Sequence, residues 1–118
     1  MIIYTLGRII FGAYFVYSGY NHFKNEKNLT GYAKSIGIPS PRLAVLTTGV
    51  MLLVGGLGFL LNINIPVSAV ILLIFMIPTT FKMHASWKVS DPAHKMNEKI
   101  SFTKNLALIG AILMLTAI

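Results

Sequence analysis

Few side chains in this sequence can do chemistry, and most of them stand at the ends of long apolar stretches. Tyr20, Asn21 and His22 close the first stretch, His84 and Trp87 close the third, and Lys104 and Asn105 open the fourth. If these ends lie on one side of a membrane, the seven side chains meet at head-group depth. Helices packed about 8–10 Å apart would gather His22, His84 and Trp87 around a pocket the size of a head group. There an imidazole beside an aromatic ring can hydrogen-bond a quinone carbonyl and pass its proton, and Lys104 would favour an anion. The same residue types at this depth also serve as interfacial anchors, and the sequence leaves both roles open. His22, His84, His94 and Asp91 are of metal-ligating types but have no diagnostic spacing, so no metal is expected. There is no nucleophile motif, phosphate loop or pair of intramembrane carboxylates, so the catalytic residues, if any, stay unknown.

Arg8 is the second chemical feature. It sits about two turns inside an apolar stretch, Ile2 to His22, where a charge costs a few kcal/mol, roughly 2.5–3.5 on insertion scales. At about 100° per residue, Tyr4, Arg8, Phe11, Gly12, Phe15, Gly19 and His22 share one face, with Ile9, Ala13 and Val16 opposite. The glycines let another backbone come close. Arg8 is therefore expected to face protein, against the carbonyl end of the second or fourth helix. Candidate partners are the Ile118 carboxylate, Asn62, Asn64, the last carbonyls of the second helix, a lipid phosphate or a small anionic ligand.

The elements that must position these groups follow from hydropathy. Of 118 residues, 55% are hydrophobic and 11% charged, against the roughly 25% charged expected of a soluble chain. The expected class is all-α, an integral membrane four-helix bundle, in one domain over 1–118. Spans are expected at about 2–21, 42–61, 66–85 and 101–118, with a short surface helix at about 28–36. In that surface helix Asn28 is the expected cap and Gly37 the stop. The second span carries Gly49, Leu52, Leu53 and Gly56 on one face, a pattern for close helix contact. The NINI connection predicts a tight antiparallel pair of second and third spans. Pro78 interrupts the third, and the Thr79 and Thr80 hydroxyls are expected to cover the carbonyl it frees.

The net charge of +7 flanks apolar spans, which reads as membrane topology and not as nucleic-acid binding. Lys24, Lys27, Lys34, Arg42, Lys82, Lys88, Lys95, Lys99 and Lys104, nine of the ten basic residues, fall on one side, in the two long loops and the fourth span's first turn. By the positive-inside rule those loops are cytoplasmic and both termini external, in a cell (inner) membrane. No secretory leader is recognisable, and the absence of cysteine excludes disulfides and thiol relays.

Taken together, the residues resemble the DoxX/DoxD family of small four-span membrane proteins. The resemblance rests on Gly7, Arg8, Gly12, Ser18 and Gly19, on LVGGLGFLL in the second span, on the His84 exit of the third, and on KNLALIGA from Lys104 to Ala111. It implies an accessory or quinone-contacting subunit of a membrane redox system. Quinone would then be the non-covalent cofactor, and a partner protein with its own redox group would supply electrons. The alternative is a non-catalytic binding or assembly protein whose polar stripe holds a lipid, a small anion or a partner helix. The family often carries an acid shortly before the double glycine of the second span. Here the segment reads VMLLVGG, so a role tied to that carboxylate has no carrier. Association of further copies of the chain stays open.

Overall fold

The structure, a computed structural model, describes residues 1–117. It is all-α: α1 (Ile2–Lys24), α2 (Glu26–Ser35), α3 (Pro41–Leu61), α4 (Ile65–Met83), a 3-10 turn (Ser86–Lys88) and α5 (Pro92–Thr116). The four long helices that contain α1, α3, α4 and α5 are apolar enough to cross a membrane. Leu43, Val50, Val54, Leu57 and Leu61 on α3, and Val67, Val70, Ile74, Ile77 and Phe81 on α4, are exposed large apolar residues at seven-residue periodicity. Continuous apolar stripes of this length suit lipid and not water. The chain forms two compact units that divide inside α4, after Leu72.

In the first unit, α1 and α3 run antiparallel with their backbones nearly touching. A Cβ on Gly12 would stand 2.6 Å from the Leu60 nitrogen and 2.8 Å from the Gly56 oxygen. One on Gly19 would stand 2.9 Å from the Gly49 oxygen and the Leu53 nitrogen. Gly12 faces Gly56 and Gly19 faces Gly49, two steps of the same seven-residue register, and only glycine leaves the room. Phe15, Leu52 and Phe59 fill the seam and are fully buried. The face predicted on α1 is thus the one α3 covers. The pairing of α3 with the start of α4 also follows expectation: Leu72 lies against Gly55, and the Ser68 hydroxyl occupies the space beside Gly58. Asn62 and Asn64 make the turn with φ of 59° and 42°, which asparagine tolerates.

Helix α2 begins at Glu26, not at Asn28. Asn25 is the capping position, although its side chain bonds Asn21 instead of the helix start. The Glu26 carboxylate accepts from the Thr30 hydroxyl at 2.6 Å and from Arg42 at 3.1 Å, which holds its pKa below the ordinary value. Gly37, at φ 84°, ends the helix as expected. Its amide reaches the Lys34 carbonyl and that of Ile38 reaches Ala33, the paired closing bonds of a Schellman turn.

The second unit corrects two expectations. The last helix starts at Pro92, nine residues before the expected 101, because Asp91 caps it: its carboxylate accepts the His94 amide at 2.9 Å, and Pro92 takes the first helical position. Polarity from Ala93 to Lys99 marks helix turns beyond the apolar zone, not a loop. Helix α4 ends at Met83, which leaves His84 just past the helix and Trp87 in the 3-10 turn. Pro78 lies inside a continuous α4. The Thr80 hydroxyl does not cover a freed carbonyl, since it has no hydrogen-bond partner.

Candidate functional site

Arg8 points into the first unit. Its Nη1 donates to the carbonyls of Phe59 at 2.6 Å and Leu60 at 2.9 Å, two of the last acceptors of α3, of which Phe59 also receives the Asn62 amide at 3.4 Å. The negative end of a helix dipole and two carbonyl oxygens are a natural setting for a guanidinium. Asn64 turns elsewhere, its Oδ1 accepting the Val67 amide at 3.4 Å. The Ile118 carboxylate lies outside the described residues. Arg8 thus has a structural partner, chosen by the antiparallel register that also sets Gly12 on Gly56.

At the other end of the seam, His22 Nδ1 lies 3.0 Å from the Val45 carbonyl and 3.2 Å from the Thr48 hydroxyl. A carbonyl only accepts, so Nδ1 carries the proton and donates. Tyr20 is exposed on the same helix, and Asn21 bonds Asn25.

In the second unit, His84 Nδ1 stands 2.9 Å from Glu98 Oε2. The carboxylate accepts, so Nδ1 bears the hydrogen and Nε2 is left as the acceptor in the neutral ring, or as a second donor in the charged one. Glu98 Oε1 lies 3.7 Å from His94 Nε2, one turn earlier on α5. The Glu98 side chain is 11% exposed, His84 25% and His94 45%, so one buried carboxylate joins a half-buried imidazole to a more exposed one. Beside them the Phe102 ring meets Trp87 and Phe81 edge to face, each at 5.4 Å between ring centres. This constellation can fix an imidazole tautomer and move one proton. Asn105 is buried two turns beyond Glu98, whereas Lys104, one position earlier, is on an exposed face. Among the described residues no three of His, Asp and Glu converge as a metal would require.

Glu98 is not among the site residues expected from the sequence, because it precedes the apolar part of α5. Its signal was the four-residue spacing from His94, which on a helix stacks the two side chains.

The DoxX family model matches residues 3–85, which is most of the chain. The chain belongs to the DoxX family. The match takes in the α1–α3 seam, Arg8, His22 and His84, and stops before α5, so Glu98 and His94 lie outside the DoxX segment. Membership together with four long apolar helices makes this DoxX protein a multi-pass membrane protein in contact with the bilayer. No curated protein and no solved structure matches the chain.

Proposed function

We propose that this DoxX protein is a quinone-contacting accessory subunit of a membrane redox system, and that His84 held by Glu98 is its contact group. The supporting observation is the 2.9 Å bond between His84 Nδ1 and the buried Glu98 carboxylate. An imidazole fixed in this way offers Nε2 to a carbonyl oxygen and can give or take one proton there. A bound quinone supplies the electron-carrying chemistry, and a redox partner protein exchanges electrons with it. A buried threonine hydroxyl without a partner in the same unit fits a site that takes a carbonyl-bearing ligand. The aromatic edge of Trp87, Phe102 and Phe81 suits a flat ring. The competing reading, a binding or assembly protein that holds lipid, an anion or a helix on the polar stripe of α1, has less support because α3 covers that stripe.

Detergent-solubilised protein should bind a short-chain quinone such as decylubiquinone, and His84→Ala should weaken binding at least tenfold with helix content unchanged. His22→Ala, whose imidazole is engaged with α3, should alter affinity much less. Equal affinities in wild type and both variants would remove the site and put the assembly reading ahead.

We further propose that the membrane is the cytoplasmic one, with both termini external and the segments Phe23–Pro41 and Lys82–Ser101 inside. The nine basic residues on one side support this. Single Asn28→Cys and Ser90→Cys variants in intact cells should resist an impermeant maleimide and react after permeabilisation. Ready labelling of both before permeabilisation would reverse the orientation.

A further inference from the structure

The second unit holds a buried polar group that its own fold leaves unused. Threonine hydroxyls inside helices ordinarily donate to the carbonyl four residues back. Thr5, Thr48 and Thr103 do so here, at 3.0, 2.7 and 3.0 Å. Thr80 does not. It is 0% exposed, and its Oγ1 has no hydrogen-bond partner.

Its direction follows from register. His84 faces Glu98 and Phe81 faces Phe102, so the end of α4 and the start of α5 run antiparallel. Thr80 lies one helical turn before His84 and shares its face. Asn105 lies two turns after Glu98, shares that face, and is 7% exposed. Both therefore lie on the helix faces that carry the His84–Glu98 pair. On these faces the unmet hydroxyl and a carboxamide, with two donors and an acceptor, are the buried polar groups beyond the His84–Glu98 pair.

We infer that Thr80, with Asn105 beside it, forms the second hydrogen-bonding point of the His84 site and binds the ring carbonyl of a quinone remote from His84. The inference rests on the proposed quinone contact and extends it. Four residues of helix rise about 6 Å, so the two points are separate and can engage two different oxygens of one ligand. A ligand with one carbonyl would satisfy His84 alone; one with two, across a flat ring, satisfies both points. The Thr80 hydroxyl donates, while Asn105 can either donate to the same oxygen or accept from the ring hydroxyl of the quinol.

Trp87 is the single tryptophan of the chain and lies in the aromatic edge of the site, so its fluorescence reports occupancy. Decylubiquinone should quench it saturably in the detergent-solubilised protein. Thr80→Val keeps the shape and removes the hydroxyl; it should weaken binding three- to tenfold, the worth of one hydrogen bond. Thr80→Ser should restore it, and Asn105→Leu should weaken binding to a similar degree. Thr80→Val should also melt no lower than wild type, because no internal bond is lost. If His84→Ala loses binding while Thr80→Val and Asn105→Leu bind as wild type does, the quinone contact stands and this second point is wrong. If wild type shows no saturable quenching, both the contact and its extension fall.

Discussion

Replacing Gly12 by valine is expected to drive α1 and α3 apart and to cost stability at or beyond the upper end of the roughly 1–3 kcal/mol typical of overpacking. A Cβ alone would meet two backbone atoms of α3, at 2.6 and 2.8 Å. Backbone held in a helix cannot swing aside as a side-chain tip can. Gly56→Val should behave alike, since its Cβ would lie 2.7 Å from the Val16 nitrogen. Gly7→Ala is the control: it is on the same helix, nothing lies within 4 Å, and alanine is the better helix former. Denaturant unfolding in mild detergent, followed by circular dichroism, should rank the variants with Gly7→Ala near wild type and Gly12→Val far below. Similar midpoints for Gly12→Val and Gly7→Ala would show that the seam is not close-packed.

The second large effect is expected at Arg8. Its guanidinium gives the end of α3 two charge-assisted hydrogen bonds, at 2.6 and 2.9 Å. Arg8→Leu leaves both carbonyls without that donor, and bonds to a charged group are worth about 1.5–3 kcal/mol. Losing a charge from an apolar layer offsets part of this cost, so a net loss of about 1–2 kcal/mol is expected. Arg8→Lys keeps the charge on a differently shaped, more strongly hydrated head and should fall between the two. The same unfolding measurement decides it. An Arg8→Leu protein as stable as wild type would mean that the bonds contribute nothing beyond the desolvation they require.

Much of this architecture was legible in the chain because helix faces are a local property. The seven-residue spacings of Gly12 with Gly19 and Gly49 with Gly56 mark the seam, and Arg8 on the same stripe as Gly12 had to end against whatever helix packed there. The NINI connection and the αL-tolerant Asn62 and Asn64 told of a tight pair for the same reason: turn chemistry is written in the residues that make the turn. The start of α5 was legible too, in the Asp91–Pro92 cap, yet hydropathy hid it, since solvated helix turns and loops are equally polar.

What only the tertiary structure decided is which group meets which. Nothing in the order of residues says that the acid joining His84 would be Glu98, fourteen positions on, because that depends on how the chain between Met83 and Pro92 folds back. Nor could the sequence show that Thr80, unlike Thr48 and Thr103, would keep a buried hydroxyl without a partner. A side chain's own helix always offers it a carbonyl. Whether it takes that carbonyl depends on the rotamer that packing against its neighbours allows, and those neighbours are known only once the chain is folded.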